Sequence, residues 1–249
     1  TLGEVSQEMG VFGMTNADEV MLASAAAFDR ASVEPAARRP LIVGDQVRDW
    51  TVATTDEVLF SYTLSEVAPL EATPRFARWL WPSRTTLGNR ATFGRSTYFE
   101  EGRPWWAWHQ VALRRISSPL TITFGEITTH NHFVLDRGGK VFKQTAPVIK
   151  LPPGRSENEH LGLLGLLNSS VACFWLKQVC FPKDGQGQMW EERFAFNATN
   201  VAEFPLSKGR PLASASRMDA LVHQLSTLQP ATLLASNPAP TRASLDAAL

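Results

Sequence analysis

Apolar residues recur along this chain with two periods, and the changes of period mark its elements. Residues 1 to 39 show little periodicity of either kind. Residues 41 to 50 (LIVGDQVRDW) give a short apolar run, a glycine turn and a polar exit, which predicts a strand. A second strand is predicted at 57 to 64 (EVLFSYTL). From 73 to 91, Phe76, Trp79 and Leu80 fall at helical spacing and Pro82 interrupts them, so a broken or kinked helix is predicted. The stretch 120 to 127 (LTITFGEI) alternates and is β-branched. Residues 132 to 142 read as a hairpin turning at Arg137, Gly138 and Gly139, and 146 to 152 as a strand ended by Pro152 and Pro153.

The clearest helix spans 156 to 179. Ser156 and Glu159 form a capping box at its start, and Leu163, Leu164, Leu167, Val171, Phe174 and Trp175 make an apolar stripe. A polar, glycine-containing loop follows from 180 to 196, then a last helix from about 212 to 228. Beyond Gln229 the chain is rich in Ala, Pro and Ser and reads as a flexible tail. Together these elements predict an α+β fold. It has a curved, mostly antiparallel β region, one long apolar helix and a C-terminal helix.

Composition narrows the function classes. With 44% hydrophobic residues in 249, the chain has enough apolar surface for a sizeable core. Lys plus Arg balance Asp plus Glu at 24 each, so any nucleic-acid surface must be local. No window approaches 18 continuous apolar residues, which predicts no membrane span. The two cysteines, Cys173 and Cys180, lie two turns apart on one predicted helix, too far for a disulfide. They read as reduced, buried thiols of a cytoplasmic protein. The first residues carry no signal-peptide pattern, and the missing initiator Met points to Thr1 as a cut within a longer chain.

Catalytic motifs are lacking: there is no GxGxxG after a strand, no P-loop, no GxSxG and no HExxH. The amide–proline–proline–aromatic loop that grips a flipped adenine is absent too, and LPPGR (151 to 155) has its prolines without its flanks. Positive charge, in contrast, is concentrated. Residues 75 to 115 hold eight arginines against Glu100 and Glu101, and 137 to 155 hold five cations and no acid. Arginine suits phosphate and the guanine edge, and Arg84, Arg90, Arg95, Arg114 and Arg115 are the candidate backbone contacts.

Beside them, RPWWAWHQ (103 to 110) places three tryptophans in four positions. An extended strand there would bury one face and turn the other outward, so Trp105 and His109 are candidates for contact as well as packing. His130 and His132, with Asn131 between them, would share a face or a strand edge, fit to hold a metal or to touch a nucleic acid. No third metal ligand lies at a suggestive spacing. In the loop from 182 to 189, Gln186 and Gln188 are of the type that reads adenine and Lys183 reaches guanine or phosphate.

Taken in order, LIVGDQVRDW, PRFARWLWPSRTTLGNR, GRPWWAWHQ, ITFGEITTHNHFVLDRGG, LGLLGLLNSSVACFWLKQV and FNATNVAEFPL resemble successive landmarks of a known domain. It is the target recognition domain of adenine-specific DNA methyltransferases of fused restriction-modification type, with BREX phage-defence methyltransferases the nearest likeness. The resemblance runs from about residue 3 to 206. It implies a recognition domain over 1–206, a C-terminal helix over 207–228 and a tail over 229–249. It also implies double-stranded DNA as partner, a methyltransferase domain upstream and further proteins of a defence system as partners. S-adenosylmethionine would be held by the upstream domain, so no cofactor is expected in this chain. Two other classes fit the same residues: a protein-interaction module of a phage-defence complex, without DNA affinity, and a carbohydrate-binding domain built on exposed tryptophans.

Overall fold

A computed structural model describes residues 1–48, 50–52, 54, 56–116, 119–183, 192–228 and 242–248. Among them, two four-stranded sheets organise the chain. In the first, Glu8–Gly10, Val148–Lys150, Thr121–Phe124 and Phe133–Asp136 lie side by side, every pair antiparallel. In the second, Val141–Phe142 runs parallel to Arg38–Ile42, which pairs antiparallel with Asp56–Leu59, and that strand pairs with Leu22–Ser24. The α+β architecture read from the sequence is the one observed, with mainly antiparallel pairing.

The first sheet is buried on both faces, which the alternation of its side chains explains. Ile122, Phe124, Phe133, Leu135 and Ile149 point into one apolar core with Leu161, Leu164, Leu167, Leu176 and Phe204. Val134 and Val148 point into the other, built on Phe28, Leu41, Ile42, Val58, Phe76, Leu80, Trp105 and Trp108. One sheet thus joins the two cores. Its polar residues on the second face pair internally: Thr123 Oγ1 donates to the Pro147 carbonyl (3.0 Å), and Lys150 Nζ donates to Thr121 Oγ1. Burial pulls the Lys150 ammonium down to about 8, while Asp136 opposes that shift.

Three sequence expectations need correction. Residues 132 to 142 do turn at Gly138 and Gly139, both at positive φ, but the flanking strands do not pair with each other. Phe133–Asp136 pairs with Thr121–Phe124 and Val141–Phe142 joins the other sheet, so the turn is a crossover between sheets. The long helix is two, Glu157–Leu167 and Ser170–Val179. Ser156 and Glu159 do form the capping box of the first, and Ser169 caps the second by accepting from Ala172 N (3.1 Å). The break turns the stripe outward, leaving Val171 and Phe174 exposed. It also separates the thiols: Cys173 is half-buried, and Cys180, at the helix C-cap, is buried and pushed up to about 11. Residues 1 to 39 show little period because their elements are short, and Leu2, Phe12, Met21 and Phe28 are all buried. Finally, Arg242–Ala248 is helical where a tail was read.

The break at Pro82 is as predicted: Pro74–Leu80 is helical, a 3₁₀ turn covers Trp81–Ser83, and Arg84–Gly88 resumes the helix. The C-terminal helix is Leu212–Leu228. It packs on Glu157–Leu167 so closely that a Cβ at Gly165 would stand 2.8 Å from the Ala215 Cβ. Among the described residues, no helix is long and apolar enough to cross a membrane.

Candidate nucleic-acid interface

The tryptophan run is a turn in this structure. Ala107 N donates to the Pro104 carbonyl (3.0 Å), and regular strand begins only at Gln110–Val111, paired with Gly13–Met14. The extended strand expected there is therefore not observed. Trp105 and Trp108 are buried in the core. The Trp108 indole donates to the Leu59 carbonyl (2.7 Å) and the Trp106 indole to that of Ala68 (3.1 Å). Proline at 104 and the size of the adjacent indoles of Trp105 and Trp106 favour such a turn, since a straight strand would force one of the two rings into solvent. His109 is also buried, 3.4 Å from Tyr98 Oη and with its ring 4.4 Å from that of Phe93. Burial, with the nearby Arg103 and Arg90 guanidiniums, holds its pKa below the ordinary imidazole value. Trp105 and His109 serve packing here.

The arginines divide into two kinds. Arg90 is an internal strut: it donates to the carbonyls of Leu87 (3.0 Å), Thr15 (2.6 Å), Trp105 (3.0 Å) and Ala107 (2.7 Å), and its guanidinium lies 4.4 Å over Tyr98. Arg115 likewise binds the carbonyls of Met9 (2.7 Å) and Val11 and faces Glu8. Arg84 and Arg95 are exposed. Arg84 lies over Trp81 (5.5 Å) and Phe99 (5.1 Å), and Arg95 sits in the left-handed region at φ 65°. Arg114, also exposed, lies in the 3₁₀ turn Leu113–Ile116. Along the segment that carries Arg84 and Arg95, three apolar rings are exposed: Trp81 (61%), Phe93 (74%) and Phe99 (39%). The result is a cationic, aromatic ridge carried by the segment 81–103.

The histidine pair lies elsewhere, in the loop between Ile127–Thr128 and Phe133–Asp136. The rings of His130 and His132 are 4.1 Å apart; His130 is exposed and His132 buried. Asn131 is buried, and its Nδ2 donates to the Leu167 carbonyl (2.6 Å) and to that of Ser169 (3.4 Å). Asn168 exchanges two hydrogen bonds with Phe133, 2.9 Å at its Oδ1 and 2.8 Å from its Nδ2. These bonds fix the helix break to the sheet edge and leave a cleft of about 490 Å³. Its walls include Trp50, the three residues 130 to 132, Ser170 and the exposed ring of Phe174. Trp50 holds φ 68°, a conformation that costs a non-glycine residue about 1 kcal/mol or more. Among the described residues, no Lys, Arg, Asp or Glu lines this cleft. Among the described residues, no group of three His, Cys, Asp or Glu could hold a metal ion.

Lys183 is exposed at the end of the strand Phe181–Pro182. That strand shares a three-stranded sheet with Phe194–Ala195 and Ile127–Thr128, the strand leading into the histidine loop. Glu126, just before it, is pushed above the ordinary carboxyl value by burial, with Lys183 pulling the other way. Gln186 and Gln188 lie outside the described residues.

The comparisons with known proteins agree with this architecture. Over 238 residues the chain is 43% identical to "Adenine-specific methyltransferase PglX" of Streptomyces coelicolor, a match that covers 91% of the chain. The chain is a relative of one segment of an adenine-specific methyltransferase. It spans about 20% of that curated relative's length. Among solved structures, the fold resembles the Type IIL restriction-modification enzyme MmeI, determined in complex with DNA. That likeness has a TM-score of 0.57 at 13% identity, covering 97% of this chain and 31% of MmeI. No protein-family model matches the chain.

The sequence names Arg84 and Arg95 as candidate contacts and not the exposed rings of Trp81, Phe93 and Phe99 on the same segment. Phe93 was legible as an apolar residue before Gly94 in an otherwise polar loop, ATFGRS (91 to 96). Trp81 adjoins the Pro82 helix break, where a side chain turns outward. Trp50 and Phe174 had no local signal, because only the tertiary fold brings them to the His130 cleft.

Proposed function

We propose that this chain reads double-stranded DNA for an adenine-specific methyltransferase of a restriction-modification or phage-defence system. The exposed ridge of Arg84 and Arg95 among Trp81, Phe93 and Phe99 carries the reading. The Arg84 guanidinium, held over exposed rings, attracts phosphates at the edge of a surface that can also pack on sugars and bases. In this reading the ridge positions the backbone, together with Arg114. The uncharged cleft at His130, and Lys183 with the loop that carries Gln186 and Gln188, meet base edges. Trp105, His109, Arg90, Arg115, Asn131 and His132 act by holding these surfaces in place. The DNA-bound MmeI structure and the PglX match support the assignment.

Methyl transfer belongs to a part of the protein beyond this chain, where S-adenosylmethionine supplies the methyl group. The glycine turn after Arg38–Ile42 does not fit such a cofactor. Gly44 N is bonded to Thr145 Oγ1 (3.0 Å), and a Cβ on Gly44 would collide with the Thr145 backbone, so the turn is filled by the protein itself.

The test is selection from a randomised duplex pool at low and moderate salt. A short enriched motif is expected, with affinity falling linearly in log salt. Arg84→Ala should reduce that slope by about one. A chain that retains no duplex at either salt would overturn the reading.

A further inference from the structure

Phe93 is the most exposed large apolar side chain among the described residues, at 74%. Its loop is not loose. Ala91 and Thr97 form a bridge that closes it, Thr92 N donates to the Ser96 carbonyl (2.8 Å), and Gly94 N donates to Thr92 Oγ1 (3.2 Å). Arg95 N donates back to the Thr92 carbonyl (3.3 Å) and holds its left-handed conformation. Both nearby acids are taken up within the loop. Glu100 accepts from Ser96 Oγ (2.9 Å) and Thr97 N (2.8 Å), and Glu101 accepts from Thr92 Oγ1. The Phe93 ring rests at a tilt against His109, whose imidazole is kept toward its neutral form by burial beside two arginines. The loop therefore presents a fixed apolar ring, with Arg95 two residues on and Arg84 on the same ridge.

We propose that Phe93 is a wedge that enters the base stack of bound duplex DNA, opening one base step while Arg95 and Arg84 hold flanking phosphates. This rests on the DNA-reading function above and names the way the ridge engages its ligand. Two observations select DNA as the occupant. The charges beside the ring are cationic, and the local carboxylates are already hydrogen-bonded. The loop is braced beforehand, so little ordering cost is incurred when the ring inserts. Apolar wedges of this kind unstack one step and kink the duplex.

The test uses duplexes of the selected sequence with 2-aminopurine placed at successive positions. With the wild-type chain, fluorescence should rise at one step as the base loses its stacking partner. Phe93→Ala should abolish that rise and weaken binding about tenfold, with an unchanged salt slope and thermal midpoint. Phe93→Trp should keep the rise, with the new indole quenched on binding. DNA binding with its motif and salt slope intact, no fluorescence rise at any position and wild-type affinity for Phe93→Ala would overturn the wedge and leave the DNA-reading function standing. No duplex binding by the wild-type chain would remove both.

Discussion

The ridge at 81–103 and the cleft at 129–132 are built from similar residue types put to opposite use. On the ridge, one arginine, Arg90, is spent inside on four carbonyls, and this frees Arg84 and Arg95 to face water. At the cleft, Asn131 and Asn168 are spent inside on helix and strand ends, and His130 and Phe174 are left facing out. The ridge offers charge over rings; the cleft offers shape and uncharged polarity. The contrast teaches that each exposed group here stands beside a buried polar side chain bonded to backbone. In the proposed DNA-reading function it would separate two tasks, affinity on the ridge and discrimination in the cleft.

Substitutions can break this division. The largest effect is expected from Arg90→Ala, which strands four carbonyls and should destabilise the chain by about 3 kcal/mol or more in urea titration. A loss no larger than that of Arg84→Ala would show that Arg90 is no strut. Asn131→Ala should cost about 1–3 kcal/mol and show faster amide exchange at the end of Glu157–Leu167, with exchange on the ridge unchanged. On DNA, His130→Ala should relax preference at one position of the enriched motif by about 1–3 kcal/mol without altering the salt slope. Arg84→Ala should do the reverse, with thermal stability changed by less than about 0.5 kcal/mol.

The smallest effect concerns pH. Because His109 has a folded pKa below its unfolded value, the unfolded chain binds the proton first. Stability should therefore fall as pH drops below about 6.5 and level off once the folded imidazole also titrates. His109→Gln should remove that contribution, and an unchanged stability–pH curve would sink the assignment.

Local signals were legible in the sequence and distant ones were not. Ser156 with Glu159, Pro82 and the turn at Gly138–Gly139 each act within a few residues, and each appears where the pattern places it. The helix break was missed although Ser169 is an N-cap type, because the apolar run on either side continues the helical period. The partner of Val141–Phe142 is Arg38–Ile42, some hundred positions earlier, and no short-range pattern encodes that pairing. The same limit applies to the site. Arg84 and Arg90 are alike in sequence, and only burial tells a strut from a contact. His130 and His132 share a motif, but one faces solvent and the other the interior.

The sheet that joins the two cores has a consequence for how such a chain can change over generations. Ile122, Phe124, Val134 and Val148 tie both cores to one set of strands, whereas Phe93, Arg95 and His130 belong to neither core. Variation at those loop positions is released from the folding constraint. If the proposed DNA reading holds, a lineage could drift to a new target by exchanging loop side chains while the same strands keep the protein folded throughout.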